Sequence, residues 1–393
     1  MMAIEETRTD VAVIGGGAIG LSVAYHLLTH RNASHVAVIE RDPAYEFAST
    51  PRASGGVRRL FSTPENIELS NYSIPVFEAF PGLMEVEGER PDIGFKRNGY
   101  LFIVTPKAVA TLKDNFELQL RHGVKAEWLS PDELKARFPS MRVDDLGGAV
   151  QSHEDGWLDP YAALMALRKK VRALGAELVD DEAVGVETSG KLARAVALRS
   201  GRIIKADAVV NAAGAWAQGV CEMIGMKVPI TPLRRYEHFF ECEEAIEPLP
   251  YVKDLDRLAF RPEGRGYSGG VPTLEEKRDF NFEIDHDYFE NVVWPALAHR
   301  FPQFERTKCR STLPGLYDQN DFDGNPIIGP WEGACENFYL AAGFSGHGLM
   351  HAPATGRALA ELILDRRFTT LDLTRLGFGR IARDEPYREI GII

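Results

Sequence analysis

Residues 10–40 constrain this chain more than any other stretch. Residues 11–14 form a short apolar run of the kind a buried parallel strand shows. Gly15, Gly17 and Gly20 follow with G-x-G-x-x-G spacing at the strand-to-helix turn. The first glycine permits the tight turn, the second lets a pyrophosphate approach the backbone, and the third lets the helix pack on the sheet. Ile19, Val23 and Leu27, with Ala24 and Leu28, continue at helical spacing, and Asn32 is a left-handed stop for that helix. A second apolar strand, residues 36–39, ends in Glu40, which lies 20 residues beyond Gly20. A carboxylate there accepts hydrogen bonds from an adenosine ribose. Strand, glycines, helix, strand and acid in this order predict a dinucleotide site.

The rest of the composition bounds the partners. The chain has 393 residues, enough for two domains with hydrophobic cores. A net charge of -12 argues against nucleic acid or an anionic membrane surface as a partner. No apolar run approaches transmembrane length, and the polar start MMAIEETRTD does not read as a signal peptide. Cys221, Cys242, Cys309 and Cys335 lack metal-ligand spacing and read as reduced thiols of a cytoplasmic protein, so no metal site is expected.

Beyond Glu40 the loop AYEFASTPRASGGVRRLFS combines small residues with Arg52, Arg58 and Arg59. Small side chains let backbone amides face an extended anionic ligand, and the arginines add positive charge. Residues 64–80 have helical spacing, and Pro81-Gly82 is expected to close that helix. Residues 92–150 read as a different layer, with a strand at 99–104, a helix carrying Val109, Leu112, Phe116 and Leu120, and a capping-box helix start at Ser130. A helix opens at Asp159-Pro160 with Leu164, Leu167, Val171 and Leu174 inward. Short strands follow at 183–187, 195–199 and 207–211. The last runs into NAAGAW, a second place where small residues bring a strand end and a helix start close to a ligand. Residues 234–242, 258–262 and 267–271 read as further strands, and 285–300 as a helix bent at Pro295. Near the end, NFYLAAGFSGHGLMHAPATGRALAELILD reads as strand, glycine-rich turn and helix.

Taken together, VAVIGGGAIGLSVAYHL, ASTPRASGGVRRLFS, VVNAAGAWA and NFYLAAGFSGHGLMHAPATG resemble, in their order, the D-amino-acid oxidase superfamily of flavoproteins. The resemblance is nearest to the branch with sarcosine oxidase, glycine oxidase and dimethylglycine dehydrogenase. It implies an α/β fold in which a Rossmann-like FAD domain of glutathione-reductase type (1–80, 146–227, 315–393) is interleaved with a mixed, largely antiparallel substrate domain (81–145, 228–314). It implies FAD as cofactor, with Gly15, Gly17, Ala18, Ile19 and Gly20 at the pyrophosphate and Glu40 and Arg41 by the adenosine. Ser49, Thr50, Arg52, Ala53, Ser54, Gly55 and Gly56 then follow the cofactor toward its ring. Val184 presents backbone to the adenine, and Ala213, Gly214 and Trp216 sit near the phosphates. Gly315, Gly343, Gly346, His347, Gly348, Leu349 and Met350 pass beside the flavin, where a helix start favours the anionic reduced form.

Departures from the family pattern sharpen these expectations. The covalent-flavin cysteine position of monomeric sarcosine oxidase falls at Gly315, and the covalent histidine position of dimethylglycine dehydrogenase falls at Arg52, so non-covalent FAD is expected. A substrate-binding lysine position falls at Met350. The oxygen-activating lysine falls near Tyr267 or Ser268, with no lysine between Lys253 and Lys277. Slow reaction with oxygen, and faster reaction with a quinone or electron-transfer protein, is the resulting expectation. The implied activity is hydride transfer from the carbon next to an amine nitrogen, giving an imine that hydrolyses. Arg58 matches the flavin-adjacent arginine and His347 is a candidate polar contact. Tyr267 and Tyr236 are candidate pocket walls. Two alternatives stay open at this point: an FAD-dependent 2-hydroxy-acid oxidoreductase, and an FAD-stabilised assembly factor with little turnover.

Overall fold

The computed structural model describes residues 5–30, 35–254, 258–272 and 278–391. Asn32 lies outside them. Two eight-stranded sheets carry the architecture. In the first, the strand Glu6–Ile14 pairs in parallel with Val36–Glu40 on one side and Ile203–Asn211 on the other. Glu177–Asp180 extends the parallel run beyond Val36–Glu40, and Cys335–Ala342 extends it beyond Ile203–Asn211. The strands are continuous in apolar residues because both faces are covered. Helices Ala18–Thr29, Pro160–Ala173 and Gly348–Leu364 lie over a core that includes Val11, Val13, Leu21, Leu27 and Leu359. A second core, with Ala12, Ile14, Val209 and Phe338, fills the opposite face.

The second sheet runs in the order Thr307–Asn320, Ile230–Cys242, Gly266–Gly270, Leu258–Glu263, Tyr251–Asp254, Tyr100–Val104, Gly148–Ser152, Ala126–Leu129. It is antiparallel except where Tyr251–Asp254 runs parallel to Tyr100–Val104. Its two faces differ. Leu101, Val252, Phe240, Phe260 and Phe304 form an apolar core on one side, while the side with Lys253 and Glu237 faces a cavity.

Local signals were obeyed where they were strong. Ser130 and Glu133 form the expected reciprocal capping box. Other expectations needed adjustment. Pro81-Gly82 does not stop the chain's helical course, because a short helix Phe80–Leu83 continues from Pro64–Glu78. Leu120 and Leu174 point outward, 46% and 36% exposed. The helix expected over 285–300 is present from Phe289 onward, and the perturbation expected at Pro295 takes the form of a π-helical turn, Phe289–Val293, that runs directly into Trp294–Arg300. We propose the interleaved two-unit division with altered boundaries, since Gly148–Ser152 and Thr307–Asn320 both belong to the second sheet.

Candidate active site

A cavity of about 660 Å³ extends from the glycine turn of the first sheet to the face of the second. At the first-sheet end, the three motif glycines have three different reasons to be glycine. Gly15 has φ 105°, and a Cβ there would lie 2.4 Å from the Ala212 carbonyl oxygen. At Gly20 a Cβ would lie 1.9 Å from the Gly15 carbonyl oxygen, which is how the helix comes so close to the strand. Gly17 is different: its Cβ would meet only the Thr50 hydroxyl, at 3.7 Å. Nothing among the described residues crowds a Cβ at Gly17, which leaves room there for a ligand. The helix that begins here has no cap from its own N-cap residue, and beyond the Ala18 amide, which Thr50 holds, its first-turn amides are left for an anion.

Glu40 lines this end with both oxygens engaged, one accepting from the Gly16 N–H at 2.7 Å and one from the Asp42 N–H at 2.8 Å. Burial raises its pKa. Thr50 accepts from the Ala18 N–H at 3.2 Å, and the Ser49 hydroxyl donates to the Leu316 carbonyl at 2.6 Å, tying the loop to the second sheet. Arg41 stacks over Trp216, 5.0 Å to the ring centroid. Ile19, Ala53, Ser54, Ala213, Gly214 and Gly315 also line the cavity.

At the far end, the turn before Gly348–Leu364 is pinned by Asp318, whose carboxylate accepts from the Gly343 N–H (2.7 Å) and the Phe344 N–H (3.1 Å). Burial lifts Asp318 to about 6 against those two bonds. Gly346, at φ 97°, packs against Tyr317. His347, Gly348 and Leu349 line the cavity, and this 17-residue helix also starts without a side-chain cap. The His347 Nδ1 is buried without a partner. Its imidazole is held neutral, well below its ordinary pKa, first by burial and then by Arg58, His351 and Lys253. Arg58 is 3% exposed, donates to the Leu60 carbonyl at 2.6 Å and lies 4.0 Å over the Phe61 ring. The uncapped helix starts, the open space at Gly17 and the orphaned His347 nitrogen all fit a long dinucleotide.

Several expected residues stand elsewhere. Tyr267 is on the opposite face of its strand, in contact with Phe240 and Phe304 (centroids 5.7 and 4.9 Å), because alternation along a strand sends it to the apolar core. Tyr236 does line the cavity. Arg52 lines it too, but its guanidinium bonds the Glu46 and Pro314 carbonyls and so ties the loop after Val36–Glu40 to the second sheet. Gly20, Gly55, Gly56 and Gly343 shape backbone behind the cavity wall, and Met350 is buried in the helix core. Val184 is 47% exposed; its neighbours Glu182 and Ala183 line the cavity instead.

Other lining residues were not foreseen. Lys253, Glu237, Tyr251 and Tyr317 project from the second sheet, and Glu389 arrives from the C-terminal tail. The Glu389 carboxylate accepts from the Ser62 N–H and hydroxyl, the Thr63 hydroxyl and the Asn66 amide. The expectation that lysine is missing here rested on chain position. In space, Lys253 comes from the strand beside Leu258–Glu263 and reaches the same cavity.

A parallel sheet with a glycine turn at its carboxyl edge, opening on a deep cavity against a second sheet, defines a dinucleotide-dependent enzyme. A family model described as FAD dependent oxidoreductase (DAO) matches residues 10–362, and the chain belongs to that family. FAD-dependent oxidoreductase domain-containing protein 1 of Xenopus laevis is 36% identical, over 98% of this chain and 85% of its own. Mitochondrial sarcosine dehydrogenase of Mus musculus is 30% identical, over 92% of this chain and 40% of its own. Among solved structures, L-proline dehydrogenase from P. horikoshii superposes with a TM-score of 0.86 at 28% identity, covering 98% of this chain and all of that one. Glycine oxidase from Geobacillus kaustophilus shares the fold, with a TM-score of 0.79 at 23% identity over 94% and 98% of the two chains. The protein is thus an FAD-dependent oxidoreductase related to amine and amino-acid oxidases. No helix of the described residues is long and apolar enough to cross a membrane.

Proposed function

We propose that the protein oxidises the C–N bond of a small amine or amino acid. The observation that carries this reading is one continuous cavity joining a dinucleotide turn to a chamber lined by Glu237, Lys253, Tyr251, Tyr317 and His347. Bound FAD supplies the hydride acceptor, and the resulting imine hydrolyses in water. In this reading the Ala18–Thr29 helix start holds the pyrophosphate and Glu40 the ribose, while Gly346, His347 and Gly348 lie by the ring, with FAD held non-covalently. Arg58 adds a fixed positive charge that favours the reduced, anionic state. The protein otherwise positions the substrate and excludes water.

The test is anaerobic titration of the holoenzyme with sarcosine, L-proline and 4-methylaminobutanoate, following flavin absorbance. Bleaching by at least one of them supports the reading. Bleaching by dithionite and by 2-hydroxy acids, but by none of the amines, would overturn it. Mixing the reduced enzyme with air or with a quinone then separates oxidase from dehydrogenase.

A further inference from the structure

One row of residues crossing the second sheet has a composition that its core does not require. The register places Phe102 beside Lys253, Lys253 beside Ala259, and Ala259 beside Gly270. The ladder's last pair is His238 with Gly269; one step further on, Glu237 and Gly270 both line the cavity, with Gly270 against the Tyr236 carbonyl. The row therefore reads Glu237, Gly270, Ala259, Lys253, Phe102, and its first four members all line the cavity. Adjacent strands lie 4.7–4.9 Å apart, so the Glu237 and Lys253 backbones stand about 14 Å apart. Between them are only a glycine and a methyl group. The next row, Gly269, Phe260, Val252 and Leu101, turns to the other face and is ordinary apolar core from Phe260 onward.

Among the described residues neither group has an ion-pair partner. Lys253 has no ion pair or hydrogen bond among the described residues, and its Nζ lies 5.8 Å from the Phe102 ring centroid. Burial and Arg58 both push its pKa well below the usual value, and no carboxylate pulls it back. The Glu237 carboxylate accepts from the Ser268 hydroxyl at 2.6 Å. Burial raises its pKa, opposed by Ser268 and by Arg261, which itself pairs with Glu263. Tyr251 and Tyr317 lie close enough to feel its charge. Both shifts mark the charged forms as costly in the ligand-free cavity, a cost that apolar residues would avoid. A ligand with complementary ends removes that cost.

We propose that Glu237 and Lys253 are the two ends of a bipolar seat for a substrate bearing both an amine and a carboxylate, the amine toward Glu237 and the carboxylate toward Lys253. The assignment rests on the function proposed above. The protein binds the two ends through charge-assisted hydrogen bonds, and the small residues between leave the substrate backbone its room.

The test uses the holoenzyme, with Lys253→Met, Lys253→Arg and Glu237→Gln variants that retain stoichiometric FAD. The first probe is tetrahydrofuran-2-carboxylate, which has the shape and carboxylate of proline without a basic nitrogen. Its binding is read from the flavin spectrum and by calorimetry. Wild type should bind it, Lys253→Met should weaken it at least tenfold, Lys253→Arg should restore most of the loss, and Glu237→Gln should stay within twofold. Equal affinity in Lys253→Met, or no binding to wild type, would overturn the seat. The second probe compares anaerobic reduction by L-proline and by pyrrolidine, which lacks the carboxylate. Lys253→Met should slow L-proline about 100-fold and pyrrolidine at least tenfold less than that. Equal slowing of both would overturn the assignment of Lys253 to the carboxylate. Bleaching by neither amine in wild type would overturn the proposed function, while the binding arm still judges the seat.

Discussion

The two ends of the cavity are built on different principles. At the first sheet the wall is largely backbone: a glycine turn, uncapped helix amides and small residues, with Glu40 anchored by two backbone amides. At the second sheet the wall is side chains, with Glu237, Lys253, Tyr251 and Tyr317 on strands whose opposite face is a phenylalanine-rich core. A backbone wall depends on the absence of side chains and so leaves a spacing pattern in the chain. A side-chain wall depends on which strands become neighbours, which no local pattern states.

The largest expected effects test the backbone end. Gly15→Ala adds a Cβ at φ 105°, 2.4 Å from the Ala212 carbonyl oxygen, and should yield little folded protein. Gly17→Leu should fold, with an apo thermal midpoint within a few degrees of wild-type apoprotein, yet carry almost no FAD. Absorbance ratios and melting curves check both. A fully loaded Gly17→Leu would mean that the pyrophosphate lies elsewhere.

Next comes the charge of Arg58, which is buried behind the cavity wall and not among its lining residues. Arg58 has no carboxylate hydrogen-bonded to it among the described residues, and its buried charge faces His347 and Lys253. Arg58→Met should lower the flavin midpoint potential by roughly 30–60 mV, about 1.4–2.8 kcal/mol for two electrons. Spectroelectrochemistry measures it, and an unchanged potential would remove Arg58 from the flavin's surroundings.

A smaller effect concerns the Gly343 turn. Asp318 has its folded pKa raised to about 6, so the folded state binds the proton more tightly than the unfolded chain between pH 6 and the ordinary carboxylate range. Its contribution to stability therefore rises as pH falls from 7 to 5, by about 1 kcal/mol. Denaturant unfolding of the apoprotein at both pH values, against Asp318→Asn, should show that increment in wild type only. The smallest effect is expected at Tyr267, where Tyr267→Phe should change stability by less than about 0.5 kcal/mol and leave flavin reduction alone. A tenfold slower reduction would bring Tyr267 back into the site.

These differences also explain what was legible in the sequence. Gly15, Gly17, Gly20 and Glu40 could be read because strand, turn and helix are consecutive, and the chain order is the spatial order. The Gly343 to Met350 turn was legible for the same reason, although Met350 itself faces the core. Lys253 was not legible. It sits in the four-residue strand Tyr251–Asp254, and only pairing with Leu258–Glu263 and Tyr100–Val104 shows which face it takes. An aromatic in a strand is more often core than pocket wall, and for Tyr267 period-2 alternation alone could not say which face was core. Glu389 had no local signal at all, since its partners Ser62, Thr63 and Asn66 lie more than 300 residues away.

The separation of the two ends is tested most directly by the double variant Glu237→Gln/Lys253→Met. FAD content and anaerobic reduction are measured on the same sample, with whichever of sarcosine, L-proline and 4-methylaminobutanoate bleaches wild type fastest. Independence of the two ends implies one FAD per chain, bound as in wild type, and reduction at least 100-fold slower. A variant that loses its FAD, or one that bleaches at the wild-type rate, would contradict it.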